Sequence, residues 1–121
     1  MFLIDSNVII DSYLFQYEYL RELFIQESTF VSEISRVEVL GYHKLIEKEN
    51  LYFKEVFYII PRIHPSLQIF DAAIELRKKY KLKLGDSIIA ATAIVHGLSL
   101  YTRNLKDFEK IPGLTCSNPV K

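Results

Sequence analysis

A single cysteine, Cys116, stands among the 121 residues. That is too few for a disulfide framework or a cysteine metal knuckle, and the scarcity fits a reducing compartment. Excess charge is missing as well, since 15 basic residues balance 15 acidic ones. No global field therefore draws the chain to nucleic acid or to an anionic membrane, and any such binding must come from a local patch. No apolar run nears the ~18 residues that a membrane span requires. Asp5 and Asp11 interrupt the opening apolar stretch and no basic region precedes it, so a secretory signal is not expected and the expected address is the cytoplasm. Repeats, low-complexity tracts and Pro/Gly/Ser-rich linkers are also lacking, and residues 1–121 read as a single domain. What remains is 50% hydrophobic and 25% charged, the profile of a globular chain with a core to bury.

The apolar run Phe2-Leu3-Ile4 followed by Asp5-Ser6-Asn7 predicts a buried strand feeding a helix. A second helix is expected over Tyr17 to Gln26, a strand at Thr29-Phe30-Val31, and a helix capped by Ser35 that carries Val37, Glu38 and Leu40. Another helix is expected from Asn50 to Tyr58, ended by Pro61 and Pro65. Ser66 caps the clearest helical pattern, with Ile69, Ala72, Ala73, Leu76 and Tyr80 at spacings of three and four. Lys81 to Leu84 reads as a connector, Gly85-Asp86 as the start of a helix through Gly97, and Leu98 to Tyr101 as the strand after it. Leu105, Phe108 and Ile111 mark a short helix stopped by Pro112-Gly113, with a last strand at Leu114-Thr115-Cys116. Short strands alternating with helices predict an α/β sandwich around a mainly parallel sheet, whose ligands gather beyond the carboxyl ends of the strands.

Three carboxylates stand out in that frame. Asp5 falls where the first strand delivers it to the carboxyl end of the sheet, which suits a helix N-cap and a ligand equally. Glu38 shares a helical stripe with Ile34, Val37 and Gly41, a face expected to pack inward. A charge there calls for a cation, a hydrogen-bond network or a metal, unless the helix phase differs and Glu38 is solvated. Asp86 repeats the strand-associated helix start and is again either a cap or a ligand. Three caps would read this way, and so would a cluster of hard oxygen ligands for Mg²⁺ or Mn²⁺.

Four blocks carry a resemblance. They are Ile4-Asp5-Ser6-Asn7-Val8-Ile9-Ile10, Ser35 to Tyr42, Leu84-Gly85-Asp86-Ser87-Ile88-Ile89-Ala90-Ala91-Thr92-Ala93, and Thr102 to Leu114. In this order and at these intervals the chain resembles, over nearly its whole length, the PIN-domain ribonucleases, and among them the small prokaryotic toxins of the VapC kind. The resemblance implies a PIN-like three-layer sandwich and a metal-dependent endoribonuclease, the toxin of a toxin-antitoxin pair. It makes Asp5, Glu38 and Asp86 the main acids of the site, with Ser6 or Asn7 as polar helpers. Many relatives carry an acid directly after Thr-Arg, whereas this chain has Asn104 there and its nearest carboxylate is Asp107, one helical turn on. Either Asn104 or Asp107 is the fourth group, and a second metal is the feature this departure puts in question.

By the same resemblance Asp5 and Asp86 are principal ligands of Mg²⁺ or Mn²⁺, and Glu38 is a ligand through water or an orienter of the nucleophile. His43, His64 and His96 fall outside the motifs and read as structural or surface residues. Arg103, beside the fourth motif, is the candidate for contact with the phosphate of an RNA substrate. The basic run from Arg77 to Lys83 reads either as an RNA track or as a solvated helix end. Tyr13, Phe15, Tyr17, Tyr19, Phe24, Tyr52, Phe53, Phe57 and Tyr58 exceed what one face of two short helices hides, so some are expected on the surface. The resemblance implies a homodimer and a cognate antitoxin whose tail covers the site. Two rivals remain: a catalytically weak PIN module that binds RNA or a protein, and a phosphoacceptor receiver domain, which also places an Asp after a strand.

Overall fold

The computed structural model describes residues 1–121. Five parallel strands form its sheet, β1 (Phe2–Ile4), β2 (Thr29–Ser32), β3 (Arg62–Ile63), β4 (Ser99–Tyr101) and β5 (Cys116–Ser117), in the order β3-β2-β1-β4-β5. Leu3 stands opposite Phe30 of β2 and Leu100 of β4. Successive strand residues face opposite sides, and the two cores divide accordingly. Leu3 and Leu100 belong to a cluster with Leu82, Ile89, Ala90, Ala93 and Phe108, whereas Ile4 and Val31 belong to one with Val8, Ile9, Phe53 and Phe57. The result is the expected three-layer α/β sandwich. A receiver-type doubly wound sheet runs 2-1-3-4-5, so the strand order removes that rival.

The helices are α1 (Ser6–Ser12), α2 (Glu33–Leu40), α3 (Glu47–Ile59), α4 (Leu67–Tyr80), α5 (Leu84–His96) and α6 (Leu105–Phe108). Ser66 caps α4 as expected, accepting from the Ile69 N–H at 3.2 Å. The last turn of α4 carries Arg77, Lys78 and Lys79, where cations oppose the helix dipole. Arg77 Nε donates to the Leu82 carbonyl at 3.1 Å and Lys78 pairs with Glu75 at 3.6 Å. The basic run thus has structural work at its start. α5 ends at Gly97, whose φ of 65° is the left-handed conformation that glycine adopts without a Cβ clash.

Several elements differ from expectation. Residues Phe15–Ile25 form a 3-10 segment, kinked at Tyr17, in place of the α-helix expected over Tyr17 to Gln26. Only Leu20 and Phe24 are buried there, so little packing enforces α winding. The cap of α2 is Ser32, which accepts from the Ile34 N–H at 3.1 Å, and Ser35 is a buried residue inside the helix. α5 begins at Leu84, so neither Gly85 nor Asp86 is its cap. β3 occupies two residues between Pro61 and Pro65, a span too short to show periodicity. β5 starts two residues later than expected.

Candidate active site

The C-terminal ends of β1 and β4 lie side by side, and the Asp5 N–H continues the ladder by donating to the Tyr101 carbonyl at 2.9 Å. Asp5 has the first of the two roles that its sequence position allowed. It caps α1, its Oδ1 accepting from the Ser6 N–H at 2.8 Å. Its Oδ2 accepts from the Thr102 hydroxyl at 2.9 Å and from Asn7 Nδ2 at 3.4 Å, and the residue is 5% exposed. Burial is the chief reason that its pKa rises from 3.8 to about 6. The hydrogen bonds from Thr102 and Ser6 oppose that rise, and the nearby charges of Asp86 and Glu38 add to it.

Asp86, in the first turn of α5, also has a raised pKa. Burial is the main cause, followed by Asp107 and then Glu38, while Lys83 pulls the other way. The fields of Glu38 and Asp86 thus reach Asp5, and those of Glu38 and Asp107 reach Asp86, although the four acids are spread over a hundred residues of sequence. Lys83 and Arg103 are cations at the margin of this acid group.

Glu38 reaches the group by a route that differs from expectation. The buried residues of α2 are Ser35 and Val39, while Val37 is 64% exposed and Glu38 is exposed beside it. With Ser32 as the cap, the inward face carries Ser35 and Val39, and of the expected stripe only Ile34 packs on the core, in part. Exposure spares Glu38 the cost of burial, and its Oε1 accepts from the Ser6 hydroxyl at 2.8 Å. Gly85 makes room for it. A Cβ built there would lie 2.8 Å from Glu38 Oε2, so the carboxylate rests against a bare backbone.

At the fourth position Asn104 and Asp107 act together, with Asn104 Nδ2 donating to Asp107 Oδ2 at 2.7 Å. Asp107 is the one whose charge acts on Asp86. Asn7 ties the same loop to α1: its Oδ1 accepts from the Arg103 N–H at 3.2 Å and its Nδ2 donates to Thr102 Oγ1 at 3.3 Å. All of Asp5, Ser6, Asn7, Glu38, Asp86, Arg103, Asn104 and Asp107 thus meet at one edge of the sheet. Sequence reasoning gave no role to Thr102, which is fully buried and holds both Asp5 and the Asn104 N–H, at 3.0 Å. Its signal was its position directly after the last residue of β4. Asp11, to which the sequence assigns no site role, is helical and 6% exposed, and it pairs with Arg103.

A family model described as PIN domain matches residues 2–114. The chain belongs to the PIN domain family. Among its PIN relatives, ribonuclease VapC1 of Rickettsia felis is 37% identical over 97 residues, covering 78% of this chain and 67% of the relative. Ribonuclease VapC1 of Methanocaldococcus jannaschii is 29% identical over 111 residues, 90% of this chain and 79% of the relative. A toxin-antitoxin complex from Klebsiella pneumoniae contains a chain that superposes with a TM-score of 0.81 at 33% identity, covering 100% of this chain and 99% of that one. The DNA-bound VapBC of Salmonella typhimurium gives a TM-score of 0.85 at 24% identity over 97% of this chain and 96% of that one, a likeness of fold.

The donor set of this PIN chain suits a hard divalent cation, being carboxylate oxygens with amide and hydroxyl oxygens beside them. At Asp5 and Asp86 the neighbouring carboxylates add to the rise in pKa that burial causes, and a cation would relieve that repulsion. As they stand, no three of them form a ready-made cage. Next to Glu38 opens a groove of about 300 Å³ lined by Ile10, Val39, Tyr42, Leu45 and Phe53. No helix is long and apolar enough to cross a membrane.

Proposed function

We propose that this protein is a metal-dependent endoribonuclease, the toxin of a toxin-antitoxin pair. The observation that carries the reading is the gathering of Asp5, Glu38, Asp86 and Asp107 at the carboxyl edge of a parallel sheet in a chain of the PIN family. The ribonuclease names of its relatives and the toxin-antitoxin complexes among its structural neighbours point the same way. Asp5 and Asp86 are the principal ligands of Mg²⁺ or Mn²⁺ in this reading, with Asp107, steadied by Asn104, as the fourth acid. When bound, the ion supplies Lewis-acid activation of water and shields charge at the phosphate. Asp5 is held in place by Thr102 and by the first turn of α1, so its carboxylate does not reorganise during reaction. Glu38, exposed and tethered by Ser6, orients the attacking water and takes its proton.

The apolar groove beside Glu38 suits a segment of the antitoxin, which would cover the acids from there. Phe15 and Tyr58 are also open to contact elsewhere, at 82% and 86% exposed. Leu67, Phe70 and Ile74 line one side of α4 in the open, which supports a homodimer.

The test is cleavage of structured RNA with Mg²⁺ or Mn²⁺ by the parent protein, Asp5→Asn and Asp86→Asn. Each substitution is expected to lower the rate by about 10²-fold or more, the scale of losing a positioned charge at a reacting centre. Equal cutting by parent and variants would refute the assignment. Asn104 favours a second reading, since a neutral amide replaces the usual acid: a weak module that binds RNA without cutting it. RNA binding with no metal-dependent cleavage by the parent would select that reading.

A further inference from the structure

Asp11 lies in α1, where its carboxyl side chain is only 8% exposed, and it caps nothing. A nearly buried carboxylate is costly without a partner, and the partner is Arg103, 92 residues away in sequence. Arg103 Nη1 donates to both carboxylate oxygens, at 2.9 and 2.8 Å. One turn earlier on the same helix, Asn7 accepts from the Arg103 N–H. Residues four apart on α1 therefore grip Arg103 at its backbone and at its tip.

We propose that Asp11 is a positioning residue that holds the Arg103 guanidinium so that its free edge grips a phosphate of the RNA beside the acid cluster. The proposal rests on the ribonuclease reading above. Its geometry is specific. A single nitrogen takes the Asp11 contact, and the structure gives Nε and Nη2 no acceptor. Those two form the parallel donor pair that matches a phosphate bidentately. The Arg103 side chain is 51% exposed, so that edge is open to a ligand. Its neighbours in sequence are Thr102, bonded to Asp5, and Asn104, bonded to Asp107. The guanidinium is thus carried by the short loop that connects two acids of the site.

Electrostatics alone would assign Asp11 the opposite effect. A carboxylate near a phosphate path repels RNA, so deleting it should tighten binding. Positioning predicts that deletion weakens binding, because the free guanidinium must then be ordered by the substrate. The two accounts differ in sign.

The experiment compares the parent, Asp11→Ala, Arg103→Gln and Arg103→Lys, using cleavage of a short RNA with Mg²⁺ and RNA affinity by fluorescence anisotropy in EDTA, each over a range of salt. Arg103→Gln is expected to raise KM and Kd about tenfold, leave kcat within about twofold and reduce the salt slope by about one. Asp11→Ala is expected to raise both constants about threefold. Arg103→Lys keeps the charge and the ion pair, hence the fold and the salt slope, but loses the fork and about threefold in affinity. Unchanged or tighter binding by Asp11→Ala at an unchanged melting temperature would overturn the proposal, as would an Arg103→Lys protein identical to the parent. A parent that binds RNA without cutting it would refute the ribonuclease reading alone, since the order of affinities still decides the role of Asp11.

Discussion

Asp5 is held by its fold in a state that it would leave if it could. Burial raises its pKa from 3.8 to about 6 even though two donors favour the charged form. Below the unfolded value the group is protonated in both states and contributes nothing. Between 3.8 and about 6 the folded state keeps the proton that the unfolded state has released, so stability falls as pH rises through this window. Above it the full cost is present, about 3 kcal/mol for roughly two pKa units. Asp5→Asn keeps an oxygen for the Ser6 N–H and removes the charge. In urea melts with EDTA it should be the more stable protein at pH 7.5, by about 2 kcal/mol, and the gap should close at pH 4. A variant less stable than the parent at both pH values would make Asp5 a structural cap and nothing more. Paired with loss of cleavage, the expected result has the form of a site whose function is held against stability. Asp11 teaches the complementary lesson. No motif supports it, yet it is the ion-paired acid of the two, and nothing local in MFLIDSNVIID reveals a partner 92 residues away.

Among the elements, α5 shows most directly how packing serves the site. Gly85 lies in its first turn with the Glu38 carboxylate against it. Alanine there would raise helix propensity by up to about 1 kcal/mol, and the exposed Glu38 side chain can swing away from the new methyl at little cost. Gly85→Ala should therefore melt at the same or a higher temperature while cutting RNA about tenfold more slowly, since the displaced carboxylate no longer faces Asp86. A thermal melt beside a cleavage rate checks this, and an unchanged rate would show that the position of Glu38 is not critical. The elements legible in the sequence were those whose pattern outlasts a turn. The period of α4 and α5 and the apolar runs of β1 and β4 set the sandwich and put Asp5 and Asp86 at its carboxyl edge. Glu38 was assigned to the site on a mistaken face, because α2 has only eight residues and its phase depends on which serine caps it. The 3-10 segment and β3 were not legible, the first having two buried anchors and the second two residues.

At the scale of the whole molecule, the strand order 3-2-1-4-5 is what makes the acids neighbours. Parallel strands on both sides of β1 deliver Ser32 and Thr102 to the same edge as Asp5, and α2 and α6 begin from there. A cation bound at that edge would tie together α1, α2, α5 and the loop before α6, and it would bind the folded chain alone. Linkage then predicts stabilisation by about 2.7 kcal/mol when free ion reaches a hundred times its Kd. The gain must depend on pH in one direction, because Asp5 has to lose its proton to serve as a ligand and its pKa is about 6. Melting temperatures with Mn²⁺ and with EDTA should therefore differ by several degrees at pH 7.5 and hardly at all at pH 5. Asp5→Asn, already relieved of its charge, should show little difference at either. An ion that stabilised parent and variant equally at both pH values would be binding elsewhere, and the carboxyl edge of the sheet would then hold an acid cluster with no metal role.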